Sequence, residues 1–363
     1  MMTYYVVPEE VHNKLVEAAY IHRGYTSDEA ADGARFCSTA AYYGIRTHHA
    51  IKALHLDELF GSKAGKWMPG AEIKKIDNKF LASEVWDSQK KLGPAVAYKA
   101  MDTCIKLADQ YGVGIVSVEN ATHYLWGGGY VIDAALKGYI AYTNCTSATS
   151  EVVPYGGKRP TMGTNPHSWA FPTQDAVGFP IVVDWATSTV AMGRVQQFKR
   201  ESKKLPPNSA VDRNGHPTIE PDEAVALLPF GMHKGYGLGL VDELYSAYTG
   251  GCLPSQRGVA STSESKSGST FFFQVIHPEA INSHDYVRGL NQSENVRAIL
   301  NDILGQGNEK CLLPGQIEAE AAQLSAKHEG LLFTEAELTE FAHIAEDCQQ
   351  TPWDMAKFKS VEI

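Results

Sequence analysis

The chain lacks closely spaced cysteines: Cys37, Cys104, Cys145, Cys252, Cys311 and Cys348 are scattered over 363 residues with no C-x-x-C pair. That excludes a paired-thiolate zinc site and a disulfide scaffold, leaving reduced, mostly buried thiols as in a cytoplasmic enzyme. Long hydrophobic runs are missing too. No stretch of ~18 apolar residues suggests a membrane span, and residues 1–8 lack the basic-then-apolar order of a signal peptide. The expected location is the cytoplasm, with no membrane partner. Basic charge is scarce: 32 Lys and Arg stand against 42 Asp and Glu, for a net charge of -10. Such a chain is poorly suited to a phosphate backbone, so nucleic acid is not an expected partner. No H-E-x-x-H is present. The G-x-G-x-x-G dinucleotide fingerprint is also missing, since Gly235, Gly237 and Gly239 are followed by Asp242 where the last glycine is required. A Rossmann fold is therefore not expected.

What remains is an ordinary globular composition, 44% apolar and 20% charged, long enough for two intertwined domains. The first hundred residues read as helices. Pro8 precedes Val11, Leu15 and Ala18 at helical spacing; Thr26 and Glu29 form a capping box; and a third helix starts at Thr47 or His48 with Ile51 and Leu54 on its apolar side. After Tyr111 short β-branched runs appear at residues 113–118, 139–143, 180–184 and 271–276, with helix candidates at 129–136 and 235–248 between them. From Ser283 the chain reads as helical again, and Thr334 with Glu337 repeats the capping box.

Four clusters carry groups able to do chemistry. Arg46, Thr47, His48, His49 and Lys52 place two imidazoles at a helix start with a cation one turn on. His123 lies in a loop between a strand and a Gly-rich helix. Asp184 ends an apolar strand, where a carboxylate has little structural use. Carbonyl reduction needs an acid/base titrating near neutrality and a partner for it, and His with Asp supplies both. The run from Gly231 through His233 and Lys234 to Gly237 opens a helix. It reads equally as a phosphate cradle and as a simple Gly-rich turn.

Taken in order, these clusters resemble the malate/L-lactate dehydrogenase family that lacks a Rossmann fold. Its G-I-x-S-H-G-x-x-R-L is similar to residues 44–54, its T-N-P to Thr164, Asn165 and Pro166, and its D-x-A-T-S to residues 184–188. Its A-x-D-x-x-G-x-P-T matches Ala210, Asp212, Gly215, Pro217 and Thr218, its K-G-Y-G-L residues 234–238, and its P-G-Q Pro314, Gly315 and Gln316. The resemblance implies an α/β (α+β) fold whose mixed, largely antiparallel sheet forms an NAD(P)-binding domain over residues 126–284. A helical substrate and dimerisation domain then comes from residues 1–125 plus 285–363. It implies an oxidoreductase that interconverts a small 2-hydroxy acid and its 2-oxo acid, of the malate, lactate, sulfolactate or diketogulonate kind, with NAD or NADP, as a homodimer. His48 takes the family's acid/base position, His123 a second histidine given that role in one branch, and Asp184 the residue that orients an imidazole. Substrate contacts fall on Thr47, His49 and Lys52. Cofactor contacts fall on Ser147, on Pro180, Ile181, Val182, Val183, Asp184, Trp185 and Ala186, on His233 and Lys234, and on Gly315, Gln316 and Ile317. No metal is implied. Thr47, His49 and Lys52 stand where the family has Ser, Gly and Arg, so these departures bear on the substrate. The alternatives are reduction of a cyclic imino acid, a metal-dependent lyase built on His48, His49, His55 and Asp184, and a non-catalytic binding protein.

Overall fold

A computed structural model describes residues 2–63, 67–147, 149–256 and 268–363. The chain opens with β1 (Thr3–Val7), α1 (Glu9–His22), α2 (Ser27–Tyr42) and α3 (Ala50–Phe60), then β2 (Lys74–Ile76), β3 (Ser83–Asp87) and α4 (Gly93–Tyr111). Next come β4 (Val113–Ala121), α5 (Gly127–Leu136), β5 (Ile140–Cys145), β6 (His167–Phe171), α6 (Gln174–Val177), β7 (Ile181–Trp185) and α7 (Met192–Arg200). A small excursion gives β8 (Ala210–Val211), β9 (Pro217–Thr218) and β10 (Ala226–Leu227), followed by α8 (His233–Thr249) and β11 (Ser269–Ile276). The C-terminal part holds α9 (Gln292–Leu304), α10 (Gln316–His328), β12 (Leu331–Phe333), α11 (Glu335–Asp347) and β13 (Lys359–Glu362).

Local chemistry sets most helix ends. Thr26 and Glu29 close a reciprocal capping box on α2, and Thr334 and Glu337 do the same on α11. Pro94 sits in the first turn of α4, which stops at Gly112 with φ at 80°. The third helix starts at Ala50, later than the sequence suggests. His48 is held in a turn by its N–H to Ile45 O, and His49 is the extended residue before the helix.

Seven strands make the main sheet, in the order β2-β3-β4-β11-β5-β6-β7. Only the β3–β4 pair is parallel, so the sheet is mixed and largely antiparallel, as the resemblance implies. Phe271 and Phe273 of β11 turn to the core shared with α2, α4 and α5, while Phe272 between them stacks on Tyr245 of α8. Burying each such large side chain contributes about 1.5–3 kcal/mol.

The helical reading of both ends needs correction. β1 pairs with β12 and β13 in a three-stranded sheet that joins the two termini, and β2 and β3 extend the main sheet. Those pairings tie residues hundreds of positions apart or use very short strands, and neither leaves a local signal. Four cysteines are buried, while Cys252 is half-buried and Cys311 exposed. Among the described residues, no helix is long and apolar enough to cross a membrane.

Candidate active site

β4, β5 and β7 run in the same direction, so their C-terminal ends emerge together at one end of the sheet, beside the starts of β6 and β11. A cavity of about 140 Å³ opens there. Its walls include His48 from the strap before α3, His123 and Trp126 after β4, Ser147 after β5, and Asp184, Trp185 and Ala186 at the end of β7. A larger groove, about 580 Å³, lies at the opposite end between Ile140, Phe171, Ile181 and Leu300. Its one ionisable group is Asp175, whereas the smaller cavity brings together two imidazoles and a carboxylate.

The two imidazoles face each other with ring centroids 6.4 Å apart, yet they are held differently. The Leu125 N–H donates to His123 Nδ1 at 2.7 Å. An N–H can only donate, so Nδ1 keeps its lone pair and the proton of the neutral ring sits on Nε2. Protonating Nδ1 would set two donors against each other. Leu125 makes this contact with φ at 72°, a conformation that costs an L side chain about 1–2 kcal/mol. His123 is thus fixed as a hydrogen-bond donor and is a poor proton carrier. His48 Nδ1 instead meets the Thr47 hydroxyl at 2.9 Å, a group that accepts or donates and so tolerates both protonation states. Burial and then the neighbouring His123, Lys52 and His49 lower the His48 pKa to about 3. Burial and Lys52 lower that of His123 to about 4. Both rings are neutral at neutral pH.

Asp184 shares the cavity but not the expected role. Its carboxylate accepts the Trp126 indole N–H at 2.9 Å, the Ser168 hydroxyl, and the Gly128 N–H, with no imidazole among its partners. The register explains this: Ser168 lies directly across from Asp184 on neighbouring strands, and the start of α5 brings Trp126 to it. Gly127 permits that approach, since a Cβ there would lie 2.4 Å from Ser168 Oγ. Asp184 is exposed at the cavity, yet the low-dielectric protein nearby pushes its pKa up to about 6 against the pull of its donors, so it is ionised at neutral pH. Asp184 anchors the loop that carries His123 rather than the ring itself.

His49 is a second correction. It is turned away from the cavity, with Nε2 3.2 Å from Glu337 Oε1 and its ring packed on Phe333 and Phe341. Arg46 is taken by the same carboxylate. Lys52, in the first turn of α3, stays available: its charge bears on His48, His123 and Glu151, and no hydrogen bond or ion pair holds its ammonium among the described residues. His55 is exposed on α3. The four ligands of the lyase alternative therefore do not converge, and among the described residues no group of three His, Cys, Asp or Glu is placed to hold a metal.

The segments expected to touch a cofactor do come together around β7. Pro180, Ile181, Val182 and Val183 lead up this edge strand towards the cavity, and the Val182 N–H donates to Pro314 O at 3.2 Å. Gly315 has φ at 86°, and a Cβ there would lie 2.8 Å from Val182 N, so only glycine fits. Gln316 and Ile317 then open α10, whose first N–H groups carry no side-chain cap. Past the other end of β7, the Thr187 O accepts the Phe230 N–H and α8 begins with His233 and Lys234, again uncapped. Lys234 is exposed and unpaired among the described residues. The exposed Lys234 ammonium at the start of α8 suits a phosphate, while the Lys234 and Gly235 N–H groups are already bonded to Gly231 O and Phe230 O.

Sequence reasoning missed Trp126, Ser168 and the work of Asn165. That asparagine is fully buried, accepts the Ser147 N–H at 3.3 Å and donates to Gly239 O at 3.0 Å, tying the end of β5 to α8. The T-N-P motif was the available signal, though it does not say what the amide binds.

The family model for malate/L-lactate dehydrogenase matches residues 7–342. This chain belongs to the malate/L-lactate dehydrogenase family. The L-sulfolactate dehydrogenase of Methanocaldococcus jannaschii is 33% identical over 70% of this chain and 73% of its own. The 2,3-diketo-L-gulonate reductase of Escherichia coli is 28% identical over 81% of this chain and 87% of its own. The solved structure of the sulfolactate dehydrogenase superposes with a TM-score of 0.79 at 27% identity, covering 97% of this chain and 99% of that one. The delta1-piperideine-2-carboxylate reductase of Pseudomonas syringae gives 0.78 at 28% identity, covering 94% and 99%. The malate/L-lactate dehydrogenase-like chain is accordingly an oxidoreductase acting on hydroxy or oxo acids, and its family implies a nicotinamide cofactor, for which the groups around β7 are a fit.

Proposed function

We propose that this dehydrogenase interconverts a small 2-hydroxy acid and its 2-oxo partner, with NAD or NADP, and that His48 moves the proton. The observation that carries the reading is the cavity itself, which sets His48 and His123 against the end of β7, with the unpaired Lys52 beside them. A bound nicotinamide supplies or accepts the hydride. Lys52 holds the carboxylate of the acid, His123 Nε2–H donates to the reacting oxygen, and His48 gives that oxygen its proton on reduction or takes it on oxidation. Ser147 and the start of α8 hold the dinucleotide. The test is a panel of pyruvate, oxaloacetate, sulfopyruvate, diketogulonate and a cyclic imine, each with NADH and NADPH, followed by nicotinamide absorbance. Failure of every acid with both cofactors would sink the reading. Lys234→Ala should raise KM for the dinucleotide far more than KM for the acid, whereas equal weakening of both would remove Lys234 from the phosphates.

One observation favours cyclic imino acid reduction as a second reading. At neutral pH His48 is a weak proton source, being held at about 3, and a protonated imine brings its own proton. Preference for the imine over every 2-oxo acid in the same panel would decide for it.

We also infer a homodimer. One face of α8 leaves Leu240, Val241, Leu244, Tyr245 and Tyr248 exposed, the last by 92%, while Gly235, Gly239, Asp242 and Ser246 on the opposite face are buried. An apolar stripe of that kind marks an association surface. Tyr248→Glu with Leu244→Glu should then turn a dimeric mass in solution into a monomeric one, and a wild-type monomer would end the idea.

A further inference from the structure

The strap between α2 and α3, residues 43–49, carries Thr47 and His48 on turns rather than on a regular element. What fixes it comes from the other end of the chain. Arg46 Nη1 lies 3.2 Å from each carboxylate oxygen of Glu337, and His49 Nε2 lies 3.2 Å from Oε1. Glu337 is the third residue of α11, and its Oε2 also accepts the Thr334 N–H at 2.8 Å and the Thr334 hydroxyl at 2.9 Å in the capping box. One carboxylate therefore grips the strap on both sides of Thr47 and His48 and pins it to a helix end. His49 is 2% exposed, and its ring centroid is 5.7 Å from that of Phe333 and 6.4 Å from that of Phe341, so this side of the strap is packed as well as bonded. Burial works against ionising Glu337, but His49, Arg46 and the Thr334 N–H outweigh it and hold the pKa at about 2. The clamp is thus anionic at any working pH.

We propose that Glu337 is a positioning residue for His48: through Arg46 and His49 it sets where the His48 ring stands in the cavity. The proposal rests on His48 as the proton carrier. It also explains His49, whose bulk replaces a family glycine without entering the substrate space.

The test compares Glu337→Ala, Glu337→Gln, Thr334→Ala and His48→Asn in the full chain. Glu337→Ala should lower kcat by roughly 10²-fold, the scale of a ~1 Å misplacement, with KM for the dinucleotide unchanged. Glu337→Gln keeps an acceptor and the shape of the side chain, so it should fold normally and recover part of the rate. Thr334→Ala removes the cap but leaves the clamp, so it should lower Tm and keep kcat. With ¹⁵N-labelled histidine, the His48 ring signals, assigned by their loss in His48→Asn, should move in both Glu337 variants and stay in Thr334→Ala. If kcat and the ring signals survive in the Glu337 variants, or change equally in Thr334→Ala, Glu337 is only a helix cap and the proposal is overturned. If His48→Asn keeps full activity, the proton-carrier reading fails instead. The ring signals separate the two failures, because they report the position of His48 without reference to turnover.

Discussion

His48→Asn is expected to lower kcat by roughly 10²–10⁴, the usual scale for losing a general acid–base group, while the affinity for the dinucleotide barely changes. His123→Asn should cost less, because a donor to the reacting oxygen is lost but no proton carrier is. The pH dependence follows from the direction of the shift. Burial and the positive neighbours hold the His48 pKa at about 3, so in the free protein the ring is the neutral base at ordinary pH. Oxidation of the hydroxy acid needs that form, and its kcat/KM should stay flat from mildly acidic to neutral pH as far as His48 is concerned. Reduction needs the imidazolium, whose fraction falls about tenfold per pH unit above the pKa, so its kcat/KM should fall by the same factor. Once the anionic acid sits beside Lys52, the positive field on His48 is reduced and the pKa rises, so kcat should keep its value to higher pH than kcat/KM does. A reduction rate indifferent to pH, together with a large effect of His123→Asn and a small one of His48→Asn, would exchange the two roles.

That assignment was only half legible in the sequence. The helix carrying Thr26 and Glu29 and the strand at residues 113–118 announce themselves, because a capping box and a β-branched run are local signals. Strand β1 does not, because what makes it a strand is Phe333 and Val361, more than three hundred residues away. The same limit applies within the site. His48 and His49 are adjacent in sequence, yet the turn before α3 sends one ring to the cavity and the other to α11, so adjacency misplaced His49 among the substrate contacts. Asp184 does lie at the end of a strand, as the apolar run before it indicates. Its partner was misread, because strand register places Ser168 opposite it, and register is a property of the sheet. What separates His48 from His123 is a backbone N–H, that of Leu125. No residue type encodes it.

Lys52→Ala is expected to raise KM for the best acid by roughly 10- to 100-fold, the loss of one charge-assisted hydrogen bond to a carboxylate. An arginine in its place would grip a carboxylate through two parallel bonds and fix both its position and its rotation. A lysine fixes position alone, so another group must set rotation. Arg46 and His49 are the nearest candidates in sequence, and both are committed to Glu337. Among the cavity's donors, which include the Trp185 indole N–H, His123 Nε2–H is the one held in place by the Leu125 contact, and in the proposed reading it meets the reacting oxygen while Lys52 holds the carboxylate next to it. Two fixed points on neighbouring carbons are enough to orient a 2-oxo acid. Lys52→Arg should therefore be tolerated, because His49, the one bulky departure in this motif, packs on Phe333 and Phe341 and is not part of the cavity wall. The Ala variant has a second signature. Lys52 is among the charges that depress both imidazoles, so removing it should raise the His48 pKa and carry the fall of reduction kcat/KM to higher pH. A raised KM with an unmoved pH profile would mean that the ammonium meets substrate at a distance from the rings. If KM is unchanged for every active acid, the carboxylate binds elsewhere, and the free half-buried cation beside two histidines has some other use.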